Sequence, residues 1–257
     1  MAENGPGQRL RRMAWRLGTQ LGDPRQVLRA VLNSPAYLRD YLAYFRMQGA
    51  EPRLSSELYP CLHDRAPLHE FDAHYFYVNP WAARRILSVA PPVHVDIASQ
   101  TVFATMLSAS VPVMYVDYRA LTARVEGMTS IAGDLIRLPL RDRSVSSISC
   151  LHVAEHVGLG RYGDTLDPEG TKKATQELMR VLAPGGNLFF AVPVGRERVA
   201  FNAHRVHAAE TIRRYFAPLA LREFSGVGDD GVFVERAPLD RFEGSEYACG
   251  FFWFVNA

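Results

Sequence analysis

Apolar positions along the chain follow two patterns, one before residue 90 and one after it. In the first part, Leu38, Tyr41, Leu42 and Phe45 recur at three- and four-residue spacing, the repeat of a helix face. Ser34 followed by Pro35 predicts where that helix starts, since a hydroxyl can cap there and the proline needs no N–H. Gly49 predicts its stop. Residues 51–72 mix Pro, Asp, Glu and Ser with few periodic apolar positions and read as a long connection. The aromatic run from His74 to Trp81 then leads into a short helix with Ala82, Ala83 and Ile86.

From residue 93 the pattern changes to short, nearly continuous apolar runs rich in β-branched residues, at 93–97, 111–116, 148–153 and 188–192. Runs of this kind suit parallel strands buried on both faces. Residues 167–182 read as a helix between them: Asp167 caps, Pro168 takes the first turn, and Leu178, Val181 and Leu182 face a core. Pro184, Gly185 and Gly186 end it. Two more strands are expected at 219–224 and 247–255, on either side of a Gly/Asp-rich loop. The alternation predicts an α/β, Rossmann-like mixed sheet, mostly parallel with an antiparallel closing strand. A helical N-terminal extension and connection occupies residues 1–72, and the Rossmann-like domain residues 73–257.

Composition narrows the functional classes. Among 257 residues, 29 basic and 27 acidic side chains leave a formal charge of +2, without the basic footprint of a nucleic-acid binder. Cys61, Cys150 and Cys249 are far apart and odd in number, so no disulfide framework is expected, and thiols of this kind fit a reducing cytoplasm. No apolar run approaches the roughly 18 residues of a membrane span. The basic, Trp15-containing stretch 10–21 is amphipathic; it reads as a helix packing on protein, with a membrane surface as the lesser alternative. His152 and His156 flank Glu155 without the H-E-x-x-H order, and no metal is expected.

In open α/β sheets, ligands sit beyond the carboxyl ends of the strands. After the first strand comes Asp96-Ile97-Ala98-Ser99-Gln100, where the G-x-G-x-x-G of a phosphate-binding loop is absent. That disfavours a dinucleotide; a cofactor without phosphates tolerates Ala98 and Ser99. Asp117, ending the second strand, can accept from both ribose hydroxyls of an adenosine. Asp134, beside Leu135, can meet an adenine amino group and ring. Past the fourth strand, His156, Arg161, Tyr162 and Asp164 are interspersed with glycines. Chemistry at a hydroxyl needs a base, for which His156, Asp164 and His204 are candidates. Arg161 and Tyr162, with Asn202 and Arg205 from a later loop, are the candidates for binding substrate. An ion pair between Arg161 and Asp164 that merely shapes the loop is the alternative. Tyr75, Phe76, Tyr77 and Trp81 either cover a ligand or clamp the extension onto the sheet, and His94 reads as structural.

The order "VDIAS … VDYR … GDLIRLPLRDRSVSSISCLHVAEHV … ELMRVLAPGGNLFFAVP" resembles class I S-adenosylmethionine-dependent methyltransferases over residues 90–195. The run from Glu155 to Asp164, the stretch 201–205 and the aromatics 74–77 resemble more narrowly a bacterial group of unknown function, DUF268, over residues 60–257. The resemblance implies a seven-stranded sheet and S-adenosylmethionine as cofactor. It assigns Asp96, Ala98, Ser99 and Gln100 to the methionine part, Asp117 to the ribose, Asp134 and Leu135 to the adenine, and His152 to the methyl-donor end. Ala98 and Gln100 stand where the family's first loop has glycines. O-methylation of a small polar or carbohydrate acceptor, such as a surface-glycan or nucleotide-linked sugar, is the function expected. The alternative is a catalytically degenerate relative acting as a binding or assembly partner through its N-terminal helices; homo-oligomers are compatible with both.

Overall fold

The computed structural model describes residues 24–50, 60–62 and 71–257, and the chain divides into two units, Met1–Glu70 and Phe71–Ala257. In the first unit, α1 spans Pro24–Tyr44 and contains Pro35. It begins ten residues before the Ser34 start expected from sequence. Ser34 lies within the helix, where its hydroxyl donates to the Ala30 carbonyl at 2.6 Å rather than capping an end. Pro24 instead takes the first position, where a missing N–H costs nothing. The amphipathic stretch 10–21 and most of the connection 51–72 lie outside the described residues.

The second unit opens with α2, Ala73–Val89, which absorbs the whole aromatic run. Asp72 starts it by accepting from the backbone N–H groups of His74 at 3.0 Å and Tyr75 at 3.5 Å. There follow β1 (His94–Ile97), α3 (Thr101–Ser108), β2 (Val113–Asp117), β3 (Met128–Ala132), β4 (Val145–Leu151), α4 (Gly170–Val181) and β5 (Leu182–Val194). A small hairpin, β6 (Arg198–Ala200) and β7 (His204–Val206), leads to α5 (Ala209–Tyr215), then β8 (Ala220–Val227), β9 (Phe233–Val234) and β10 (Ala248–Val255).

The main sheet has the order β3-β2-β1-β4-β5-β10-β8-β9. Strands β1 to β5 pair in parallel, and β10 inserts antiparallel between β5 and β8. The mixed sheet with an antiparallel strand near its closing edge is as expected; the two-residue β9 brings the strands to eight. β3 was not foreseen, because Met128–Ala132 is an edge strand of half-exposed residues without an apolar run. The Pro184-Gly185-Gly186 turn was expected to separate helix from strand, yet it lies inside β5, held by Asn256, which exchanges backbone hydrogen bonds with Gly185 and Gly186.

Both faces of the sheet are covered. Leu178, Val181, Ile212 and Phe216 pack over Phe190 and Phe252 on one side; Trp81, Ile86, Phe103 and Leu107 pack over Phe189 and Phe251 on the other. Trp81 is therefore a core residue. Its indole N–H donates to Glu223 at 2.9 Å, and the buried Arg85 guanidinium meets the same carboxylate at 2.6 Å. This pair fastens α2 to β8. Glu223→Ala leaves the buried indole N–H without its acceptor and the Arg85 cation with only the exposed Glu235 carboxylate, at 2.7 Å, as its ion-pair partner, and is expected to cost about 2 kcal/mol in denaturant unfolding. A change below about 0.5 kcal/mol would show that the pair does not hold α2 in place.

Candidate active site

Beneath the carboxyl ends of β1 and β4 lies a chain of buried polar groups. Asp96 and Ser149 are direct cross-strand neighbours. The Ser149 hydroxyl donates to one Asp96 oxygen, and the Ser99 N–H donates to the other at 3.1 Å. His94 bridges Ser149 and Ser147, at 2.8 Å from each hydroxyl. Burial pushes Asp96 up to about 6 and His94 down to about 3, so the histidine is neutral. Asp96 thus props the loop from within rather than facing a ligand.

The loop it props is tightly determined. Ser99 Oγ accepts from Leu151 N–H at 3.2 Å, and the Ser99 carbonyl accepts from the Tyr115 hydroxyl at 3.0 Å. Ala98 adopts a left-handed backbone, φ 50°, which favours glycine. The glycine-type turn is therefore kept at a position where the side chain is a methyl group. Gln100 precedes α3, and its side-chain oxygen accepts from Asn79 of α2 at 2.9 Å. His152 is also left-handed, φ 59°. Two strained residues facing one cavity are typical of ligand sites.

That cavity, of about 620 Å³, is lined by Ala98, Ser99, Gln100 and His152, and by His156, Arg161, Tyr162 and His204. Eight of the sequence candidates thus meet in one place. His156 Nδ1 lies 2.5 Å from the Ala203 carbonyl and 3.2 Å from Arg161 Nη1, while Nε2 lies 3.8 Å from Glu155 Oε1; the tautomer with its proton on Nδ1 satisfies the carbonyl and leaves Nε2 able to act as a base. Arg161 donates to the same carbonyl at 3.1 Å.

A second cavity of about 560 Å³ lies between Asp134 with Ile136 and the loop from Gly158 to Asp167. Here Leu135 corrects an expectation. Its side chain is buried in the core, and Ile136 is the apolar neighbour that faces the cavity. Asp117 lies at the end of β2, one oxygen accepting from the Arg119 N–H at 3.0 Å and the other 3.2 Å from the Tyr115 hydroxyl, whose one proton is shared with the Ser99 carbonyl, so each oxygen keeps a further lone pair.

Three other candidates hold the loop instead of facing the first cavity. Asp164 lines the second cavity and accepts from the N–H groups of Gly158 at 2.7 Å and Tyr162 at 3.2 Å; these bonds, against a burial that opposes them, keep its carboxyl below the usual range. Gly158, at φ 78°, is obligatory, since a Cβ there would stand 2.2 Å from the Asp167 carbonyl. Arg205 is buried and spends its guanidinium on the Val157 and Asp167 carbonyls. Asn202 takes the left-handed turn of the β6–β7 hairpin and donates to Leu159 at 3.4 Å. No ion pair joins Arg161 to Asp164 among the described residues. Sequence reasoning missed His74, Glu155, Tyr247 and Cys249, which gather around His152; of these only Glu155, beside His156, carried a local signal.

A family model described as "Caenorhabditis protein of unknown function, DUF268" matches residues 142–222, from before β4 into β8. The match is shorter than the likeness read from sequence, and its description names Caenorhabditis rather than a bacterial group. No curated protein matches the chain. Among solved structures, a putative sarcosine dimethylglycine methyltransferase from Galdieria sulphuraria is 13% identical, covering 71% of this chain and 85% of its own, with a TM-score of 0.51. The [4+2]-cyclase SpnF is also 13% identical, covering 70% and 80%, with a TM-score of 0.50. The architecture is the Rossmann-like methyltransferase fold. At such identities the likeness concerns the fold alone, and the cyclase shows that this methyltransferase fold hosts more than one chemistry.

The raised Asp96 carboxyl has a consequence for stability. Its folded-state value near 6 lies above the ordinary 3.8, so the native state holds that proton more tightly than the unfolded chain does. Its contribution is therefore greatest below about pH 4 and is lost as pH rises through 6, by roughly 3 kcal/mol in all. Asp96→Asn preserves an acceptor for Ser99 and should remove that slope. Denaturant midpoints of the two proteins between about pH 4 and pH 7 check this; a difference that does not change with pH would contradict it.

Proposed function

We propose that the chain is an S-adenosylmethionine-dependent methyltransferase acting on oxygen of a small polar or carbohydrate acceptor. The carrying observation is the turn after β1: Ala98 keeps the left-handed conformation over the buried Asp96, at the rim of a cavity beyond the carboxyl ends of β1 and β4. Preserving a strained turn is worthwhile when its backbone must approach a ligand. In this reading the methionine part lies against residues 98–100 and His152, the ribose hydroxyls on Asp117, and the adenine between Asp134 and Ile136 in the second cavity.

The acceptor enters the rest of the first cavity. Its hydroxyl approaches the sulfonium methyl in line, His156 Nε2 takes the departing proton, and Arg161 with Tyr162 binds an anionic or polar group of the acceptor. His204, 4.7 Å from the Tyr247 ring between centroids, is the second base candidate. What the resident groups supply is placement and a proton acceptor; the cofactor supplies the electrophilic methyl group.

One observation favours a second reading, a relative that keeps the fold for assembly. Gln100 stands where the family's loop has glycine, and its side chain is tied to Asn79 at the cavity wall. Calorimetry with S-adenosylhomocysteine separates the two. Saturable binding is expected, and Asp117→Ala should weaken it about 10- to 100-fold, the worth of hydrogen bonds to a carboxylate. Absence of heat at millimolar ligand would overturn the cofactor reading, and an unchanged affinity in the variant would overturn the ribose assignment.

A further inference from the structure

Three side chains with metal-binding atoms, remote in sequence, converge at the first cavity. His74 comes from the first turn of α2, His152 follows β4, and Cys249 lies on β10; one ligand atom of each lies within 4.8 Å of the others. Cys249 Sγ and His152 Nε2 are 3.1 Å apart. In a tetrahedral zinc site with bonds near 2.3 Å to sulfur and 2.0 Å to nitrogen, that separation is about 3.5 Å. The remaining adjustment falls on His74, which is half-buried at a helix end.

The surroundings are those of ligands already oriented. His152 Nδ1 faces Glu155 Oε1 at 3.2 Å, and the His74 ring stacks on the His152 ring with centroids 5.5 Å apart. The Glu155 partner fixes the His152 ring so that its other nitrogen presents a lone pair toward Cys249. Glu155 is 1% exposed and its Oε2 has no partner. Cys249 is fully buried, with Sγ turned toward His152.

We propose that His74, His152 and Cys249 bind Zn²⁺, with Glu155 orienting His152 and a fourth coordination position open to the cavity. One thiolate and two imidazoles select zinc over magnesium or calcium, whose ligands are oxygens. Three protein ligands and one exchangeable position make a site that can hold water or an oxygen of a cavity ligand. Binding displaces the thiol proton, and any proton on the coordinating histidine nitrogens, to solvent. The burial of Cys249 weighs against a nucleophile, since cavity solutes do not reach Sγ; an ion seated between it and the two histidines is reached. Sequence spacing gave no hint of this site, because neither His74 nor Cys249 is near His152 in the chain.

The site stands independently of methyl transfer, and its test uses the metal alone. The full-length chain, stripped with a chelator and titrated with Zn²⁺ against a chromophoric competitor, should bind about one ion per chain. Co²⁺ in its place should show the visible bands of a tetrahedral site and a thiolate-to-metal charge-transfer band. Cys249→Ser should lose that band, His74→Ala should weaken zinc binding at least about tenfold, and Glu155→Gln should weaken it about 10- to 100-fold. His74→Ala alters only a half-buried position, so it reports even if Cys249→Ser fails to fold. Failure to retain zinc against the competitor, a cobalt spectrum without the thiolate band, or unchanged affinity in His74→Ala would each overturn the proposal, whatever the outcome with S-adenosylhomocysteine.

Discussion

A single buried contact between neighbouring strands, Asp96 on β1 against Ser149 on β4, organises the ligand-facing edge of the sheet. Both Asp96 oxygens are used: one receives the Ser149 hydroxyl, the other the backbone of Ser99. A carboxyl fully removed from water is costly unless it is hydrogen-bonded, and here both oxygens accept a hydrogen bond. The consequence is positional. With Ser99 held, Ala98 is forced into its left-handed turn, and the Leu151 N–H is drawn to Ser99 Oγ. The loops after β1 and β4 are thereby joined, so the cavity between them has a rigid wall.

The other half of that edge is built differently. The segment from Val157 to Asp167 carries no regular structure, yet it is closed by Asp164, by Arg205 and by the Gly158–Asp167 contact. Polar residues that look available in sequence are consumed in shaping it, and in doing so they set His156, Arg161 and Tyr162 toward the first cavity. Rigid support around a few exposed polar groups is the arrangement that positions reactants. The proposed zinc ligands lie beside the same cavity, where α2 and β10 meet the end of β4.

Much of the fold was legible in the sequence for a simple physical reason. β1, β2, β4, β5 and β10 lie inside the sheet with both faces covered, which favours continuous apolar runs such as Leu188–Val194. β3 and β9 lie at the sheet edges, so burial does not dictate their composition. The helix starts were less readable: Ser34 and Pro35 carry a start signal inside a helix that begins at Pro24. For the site, motif position found the residues that follow each strand, including Ala98, Gln100 and His152. It did not separate residues that face the cavity from those that hold the loop, since Arg205 and Asp164 have the same chemistry in either role. Cys249 was invisible because an apolar strand absorbs a cysteine without comment.

The central claim is that the two cavities and Asp117 form one site for S-adenosylmethionine. A crystal structure of the chain grown with S-adenosylhomocysteine tests it most directly. The account predicts the ribose hydroxyls on the Asp117 carboxylate, the adenine beside Asp134 and Ile136, and the sulfur end toward His152. Ligand bound elsewhere, or both cavities filled only by solvent at saturating ligand, would contradict it.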